Sequence, residues 1–487
     1  MAQFGASRHD APRCRRCVTQ GPVSARLRVM SETTAQGMAA GGEVPTELKR
    51  VIGPKLLFFF VMGDILGTGI YALIGSVAGE IGGALWVPFV GAFLVAFLTA
   101  FSYLELVGKY PRAAGAALYT NRAFGIPFLT FIVAFAVMSS GITSASSAAV
   151  AFGKTYLQQF ITLPTWAVAI TFIVLLALIN FRGVGESLKV NVVLTCIELS
   201  GLLIIIAVGI YAIGSGQGEP SRLTQINTAD SGVLLAITSA TALAFFAMVG
   251  FEDSVNMAEE CTAPAKIFPR AMLLGMGAAG LIYVLVALTS SLLVPADRLA
   301  AVQSDALFEV VKIGAPGFPL RLFAVIGLFA VINSALINML MASRLVYGMA
   351  GERIIPPVLG SVHPTRRTPW VSIVFTSAIA VVLVSFVPLA SLAGTTSLLL
   401  LAVFTLVNIA CLVLRRQTVE HKHFLAPTWS PWLGALLCAY LVTPLSGRDS
   451  ADYLLAGVLL AVGVLLWLVN RQFMGKGESD PAKLSRQ

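Results

Sequence analysis

The sequence predicts an all-α integral membrane protein of twelve transmembrane helices, and three observations carry that prediction. The 487 residues are 57% hydrophobic and only 12% charged, with a mean hydropathy of +0.85. Soluble domains sit near ~45–50% apolar with about a quarter of residues charged. One soluble core could not bury this excess of apolar surface, and lipid accepts it. The apolar residues fall into runs near the length of a bilayer crossing. The basic residues fall in the gaps between the runs and favour one side.

In order, the runs are 55–79, 83–107, 126–158, 165–182, 190–213, 231–258, 270–294, 320–347, 370–388, 391–414, 431–446 and 451–470. The third exceeds a straight crossing of about 20 residues, so a tilt is expected. The ninth and eleventh are short. With the N-terminus inside, the inner gaps hold 14 Lys and Arg: Lys109, Arg112, Arg122, Arg182, Lys189, Lys266, Arg270, Arg344, Arg353, Arg366, Arg367, Arg415, Arg416 and Lys422. The outer gaps hold six: Lys154, Arg222, Arg298, Lys312, Arg321 and Arg448. The tails, taken with Lys55 at the start of the first run and Arg471 just after the last, place 13 more inside. This bias predicts both ends on the cytoplasmic side of the cell membrane.

The formal charge of +9 does not indicate nucleic acid, because the cations are dispersed and no basic patch forms. Residues 1–50 read as a polar, disordered tail and 472–487 as a second one. No apolar h-region of a signal peptide occurs in residues 1–54, and Met30 is an alternative start. Cys14 and Cys17 form a CxxC without a second pair at metal-ligand spacing. Cys196, Cys411 and Cys438 lie in apolar runs and read as packing residues; no partner is evident for Cys261. His363, His421 and His423 lie in inner gaps without clustered ligands. No metal site, cofactor or nucleophile–base pair is read, which excludes the common enzyme classes. A channel would be expected to repeat a pore motif, and none is present.

Two of the gaps are long. Residues 295–319, with Asp297, Asp305 and Glu309, suggest a short amphipathic helix outside. Residues 348–369 are rich in Pro and Arg. Long loops of this kind serve either as gates or as solvated connectors.

The first run is interrupted by Gly63-Asp64-Ile65-Leu66-Gly67-Thr68-Gly69-Ile70-Tyr71. Glycine lets the backbone leave helical geometry, and the N–H and C=O groups so freed cannot be satisfied by lipid. A ligand can satisfy them. The half-helix that follows aims its positive end at the break, where a carboxylate fits. Gly63 and Gly67 also match the Gly-x-x-x-Gly spacing of close helix packing. The sixth run carries Phe245-Phe246-Ala247-Met248-Val249-Gly250-Phe251-Glu252-Asp253-Ser254. Carboxylates at membrane depth are costly and mark function by default. Five helices from 51–215 are followed by five from 225–415, and an odd repeat length inverts the second copy. Breaks in the first helix of each repeat would then meet near the midplane. Residues 430–471 add two C-terminal helices.

The chain resembles the amino acid–polyamine–organocation superfamily, whose members have the leucine-transporter-like fold. Gly67-Thr68-Gly69-Ile70-Tyr71 fits the family's first-helix pattern. Val249-Gly250-Phe251-Glu252, Glu259-Glu260, Pro264 and Pro269-Arg270 follow its sixth-helix pattern. The resemblance covers about residues 50–470. It implies secondary active transport of a small molecule, an amino acid, by alternating access in the bilayer. It implies a substrate carboxylate on the N–H groups near Gly67, Thr68, Gly69 and Ile70. The amino group would rest on carbonyls near Ile65 and around Phe246–Gly250, Val249 among them. Phe246 and Phe251 would cover the substrate. Glu252 and Asp253 would face the site or a water path. Asp64 departs from the pattern; pairing within the bundle is preferred for it over attraction of a substrate amine or a gate role.

Proton-coupled relatives place a titrating Lys in the fifth helix, and Glu198 falls near that position here. An apolar span favours the neutral form of a carboxyl, which suits Glu198 to carry a proton. The bland alternative is a structural hydrogen bond near Ser334 or Asn338. A proton is therefore expected as the coupling ion ahead of sodium. Asn333, Ser334 and Asn338 read as polar glue between helices. Glu105 is expected to pair with Lys109 at i,i+4, and Tyr103 to lie at the membrane interface. An exchanger, a polyamine or organocation carrier, and a nutrient sensor without transport remain as alternatives.

Overall fold

A computed structural model describes residues 52–474 apart from 112–114, 183–186, 228–231, 352–354 and 367; of 187–189, 259 and 473–474 it describes the backbone alone. The tail holding Cys14 and Cys17, the residues beyond 474, and Arg112, Arg353 and Arg367 lie outside the described residues. Within the described residues the chain is helical, and its extended pairing is confined to the isolated bridges Ile52–Cys261 and Gly82–Ile226.

Ten helices are long and apolar enough to cross a bilayer, and two shorter apolar helices, Trp370–Phe386 and Ser430–Val442, stand at the expected ninth and eleventh positions. In chain order the helices are α1 (Pro54–Ile65), α2 (Thr68–Ile81), α3 (Trp86–Lys109), α4 (Gly115–Phe124), α5 (Pro127–Ala151), α6 (Thr165–Arg182), α7 (Ser187–Gly214) and α8 (Val233–Ala244). They continue as α9 (Pro264–Leu293), α10 (Ala296–Val302), α11 (Ala306–Gly314), α12 (Leu320–Gly351), α13 (Trp370–Phe386), α14 (Leu389–Leu414), α15 (Ser430–Val442) and α16 (Ser450–Met474). The over-long third run is resolved by a change of winding. After α5 the chain takes a π-turn over Phe152–Tyr156 and a 3₁₀ turn over Leu157–Gln159.

The helices sort their faces for lipid. Large apolar side chains such as Leu178, Ile210, Tyr211, Leu281, Phe386, Leu436 and Leu454 are exposed on the outside. Small and polar side chains turn inward instead. α5 packs its Ser and Thr residues against α12 and α14, with Thr143 Oγ1 2.6 Å from Thr396 Oγ1. Such pairs hold helices together where burial of apolar surface gives no driving force. Cys411 and Cys438 are buried as expected, whereas Cys196 is on the exposed face of α7.

Two arginines fasten α14 to its neighbours. Below it, Arg415 donates from Nη2 to Glu105 Oε2 at 2.7 Å and from Nε to Oε1 at 2.9 Å. The Ala426 N–H completes the set on Oε2 at 2.9 Å. The expected Glu105–Lys109 pair is therefore not formed: Lys109 Nζ donates to the Leu414 carbonyl at 2.5 Å. Tertiary packing supplies Glu105 with a two-pronged guanidinium, which outcompetes a flexible ammonium on its own helix. At the opposite end, Arg448 sits between four helices. It donates to the carbonyls of Gly394 (2.7 Å), Ala242 (3.4 Å) and Leu441 (3.4 Å), to Ser397 Oγ (3.2 Å) and to Asp452 Oδ2 (3.3 Å). Burial lowers its basicity, and Asp452 opposes that shift.

The long gap at 295–319 folds into α10, a 3₁₀ turn over Gln303–Asp305, and α11. The hairpin packs onto α2. Gly75 of α2 makes this approach possible, since a Cβ there would run into the Gln303 backbone. Arg298 and Glu309 form an ion pair across the hairpin.

Candidate functional site

Both glycine-rich segments leave the α-helix. The first run breaks between α1 and α2, where Gly67 takes φ −54°, ψ −147°. The sixth run ends its α-helix at Ala244, passes through a 3₁₀ turn at Phe245–Met248, extends at Val249 and takes φ +124° at Gly250. A second 3₁₀ segment covers Asp253–Glu260. Only glycine adopts such a positive φ without strain.

The two breaks meet. A Cβ on Gly69 would come within 3.0 Å of the Ala247 nitrogen, and one on Gly67 would lie 2.7 Å from Ser334 Oγ. Between them lies a cavity of about 10 Å³, lined by Asp64, Ile65, Gly67, Thr68, Gly69, Phe246, Val249 and Gly250, with Ser144, Ser334 and Asn338 opposite. That is room for about one water. The N–H groups that open α2 have no carbonyl of their own helix. Thr68, which lines the cavity, has no hydrogen-bond partner for its Oγ1 among the described residues.

Most of the sequence-predicted residues converge here. Ile70 and Phe251 do not line the cavity. The Phe251 ring packs 5.7 Å from Tyr103 and 5.2 Å from Phe404, centroid to centroid. Tyr103 is accordingly buried in an aromatic cluster, not interfacial as expected. The Ile65 carbonyl already accepts the Tyr283 hydroxyl from α9 at 2.5 Å. Sequence reasoning had no role for Tyr283 or Ser144. Ser144 belongs to the polar stretch 139–147, whose hydroxyls were the available signal.

Asp64 corrects its preferred reading. It is 5% exposed and neither carboxylate oxygen has a hydrogen-bond partner among the described residues. It lines the cavity and does not pair within the bundle. The titratable groups that act on it among the described residues are the carboxyls of Asp253, Glu252 and Glu198.

Glu252 and Asp253 line a second cavity of about 20 Å³ with Tyr103, Ala116, Ala134, Asn256 and Leu345. Glu252 Oε2 accepts the Gly250 N–H at 2.9 Å. The carboxylate thus caps the break and holds its turn.

Glu198 is fully buried on α7. Its carboxyl oxygens make no hydrogen bond of good geometry among the described residues, and the side chain that faces them closely enough to interact is Asn333 of α12, not Ser334 or Asn338. Asn333 Oδ1 itself accepts Asn191 Nδ2 at 3.3 Å. The Tyr71 hydroxyl of α2 donates to the Glu198 carbonyl at 2.5 Å, so the helix that starts at the break rests on the helix that carries the acid. On the other side of the break, Gly63 lies against Thr195, one turn before Glu198.

The family profile described as "Amino acid permease" matches residues 52–468. The branched-chain amino acid permease BcaP of Bacillus subtilis (strain 168) is 26% identical over 467 residues, covering 91% of this chain and 97% of that protein. The methylthioribose transporter of the same organism is 26% identical over 455 residues, 87% of this chain and 93% of its own length. The low-affinity putrescine importer PlaP of Escherichia coli (strain K12) is 24% identical over 408 residues, 81% and 88%.

Proposed function

The chain belongs to the amino acid permease family, and from that premise we propose that it is a secondary active amino-acid transporter that takes up its substrate with a proton. As a family member it is a multi-pass membrane transporter of small molecules and not an enzyme. The finer reading rests on one observation: the breaks at Gly67 and Gly250 enclose a single cavity with the free N–H groups of α2 on one wall.

In this reading the substrate carboxylate lies on the N–H groups of Thr68, Gly69 and Ile70, where the helix dipole favours an anion. The carbonyl side of the Phe246–Gly250 break takes the amino group, and Phe246 covers the substrate. The cavity holds no amino acid at its present volume, so α1–α2 and the sixth run part to admit one. The N-terminal five spans (51–215) and the next five (225–415) act as inverted repeats, whose relative rocking alternates access to the site. Residues 430–471 supply the last two spans, with both termini in the cytoplasm as the distribution of Lys and Arg favours.

Glu198 carries the proton. A carboxyl in an apolar bundle exchanges between a neutral state, which costs little, and a charged state, which needs water or a partner. Its link to α2 through Tyr71 offers a mechanical path from proton to substrate site.

Uptake by the purified protein in liposomes tests this, with labelled amino acids and imposed pH or sodium gradients. Accumulation driven by an inward proton gradient is expected. Accumulation that follows sodium and ignores pH removes the proton role. No uptake of any amino acid removes the transport reading.

A further inference from the structure

Asp64 occupies an unusual position electrically. It is buried at the break of the first run, and both oxygens lack a hydrogen-bond partner among the described residues. A buried carboxylate without a hydrogen bond or counter-charge is among the costliest arrangements a bundle can contain. The packing around it is built to keep it there. Gly250, at φ +124°, is the only residue type that lets the sixth run lie against it, because a Cβ would stand 3.1 Å from the Asp64 carboxyl carbon.

Among the described residues no Lys or Arg lines its cavity or acts on it. The titratable groups that act on Asp64 among the described residues are Asp253, Glu252 and Glu198, every one a carboxyl. The uncharged lining, Thr68, Ser144, Ser334 and Asn338, carries hydroxyl and amide groups that can donate as well as accept, yet none of them reaches the Asp64 carboxyl. Thr68 Oγ1 is itself unpartnered. Asp64 is therefore an unsatisfied acceptor that faces a cavity whose lining leaves it without a donor. The neighbouring carbonyl of Ile65, by contrast, already receives the Tyr283 hydroxyl.

A ligand that satisfies Asp64 must bring a donor, and an ammonium group brings one with the complementary charge. A single zwitterion balances one carboxylate but returns a negative charge of its own to the site. A molecule with net positive charge lowers the energy of the whole acidic cluster. The second cavity repeats the pattern, with Glu252 and Asp253 in its wall beside Tyr103 and Asn256. Carboxyl groups thus line both cavities, one holding Asp64 and the other Glu252 and Asp253.

We propose that the Asp64 carboxylate receives an ammonium group of the substrate, and that the preferred substrate is a net cation: a basic amino acid or a diamine. The proposal rests on the reading of the central cavity as the substrate site. Selectivity then comes from one carboxylate at the first break, where the backbone alone would discriminate little between side chains.

The test is direct binding and uptake by the full chain in liposomes, with L-lysine, putrescine and L-leucine each supplied as the labelled probe at one fixed pH. Wild-type protein is expected to favour lysine or putrescine over leucine. Lysine ahead of putrescine identifies a basic amino acid, and the reverse order a diamine. Asp64→Asn is expected to weaken binding of the favoured cation by about tenfold or more, since charge-assisted bonds are the strong ones, and to reduce its preference over leucine to the same extent. Asp64→Glu is expected to keep the cationic preference. It serves as the arm to read if Asp64→Asn does not fold. Leucine favoured by the wild type overturns the proposal and leaves amino-acid transport standing. An unchanged cation preference in Asp64→Asn also overturns it. Failure of all three probes to bind or accumulate removes the transport reading as well.

Discussion

Asp64 and Gly250 lie in backbone contact across the two breaks: a Cβ at position 250 would stand 2.8 Å from the Asp64 carbonyl oxygen. The glycine is demanded twice, by this approach and by its φ of +124°. Gly250→Ala is therefore expected to push the breaks apart and to strain the turn, at a cost of about 1–3 kcal/mol from backbone conformation alone. The measurement is substrate binding by the folded variant in detergent, with a loss of at least about tenfold expected. Wild-type affinity would show that the breaks do not need to touch.

Gly69→Val tests the other contact. A side chain there meets the Ala247 backbone, which cannot rotate aside as a side chain could. Loss of binding with retained elution as a folded species is expected. Binding that persists would move the substrate away from the opening of α2.

Glu198→Gln separates coupling from carriage. It removes the titrating group and retains the shape. Proton-driven accumulation is expected to vanish, while exchange of external for internal substrate continues. Accumulation that still follows an imposed pH gradient in the variant would assign the proton elsewhere.

The two arginine clamps predict stability. Truncating one member of a buried pair leaves the other charge uncompensated, at about 3–5 kcal/mol. Arg448→Ala strands Asp452 and five acceptors in all, so a marked drop in thermal midpoint is expected in detergent. Arg448→Lys, which cannot reproduce the fork, should recover only part of it. A midpoint unchanged by Arg448→Ala would mean that the four helices hold without the clamp.

A double-mutant cycle distinguishes the two partners open to Glu105. Coupling with Arg415 is expected to exceed that with Lys109 by at least about 1 kcal/mol, as for neighbours that share a buried hydrogen-bonded pair. Equal coupling would restore the local i,i+4 pair.

Membrane architecture was legible because lipid imposes simple, local requirements. A crossing needs a long apolar run with its hydrogen bonds made internally, and both conditions are written along the chain. The positions of α6, α9 and α12 follow the runs closely. The breaks were legible for a related reason, since Gly67, Gly69 and Gly250 release backbone geometry wherever they stand. Partners were harder to read. Glu105 lies four residues from Lys109 and 310 from Arg415, and sequence proximity pointed to the wrong cation. Tyr103 carries a hydroxyl that suits an interface, yet the rings of Phe251, Phe404 and Tyr119 enclose it.

The amino-acid sequence by itself determined that this chain lies in a bilayer, roughly where it crosses, and where its helices break, because those properties depend on the composition and conformational freedom of contiguous residues. Only the tertiary structure decided what the breaks face. It seated Gly69 on Ala247 and Gly250 on Asp64, gave the Ile65 carbonyl to Tyr283, and left the Asp64 carboxylate free among other acids. Charge balance at a buried site is a sum over residues far apart in the chain, and the packed helices set which of them enter it.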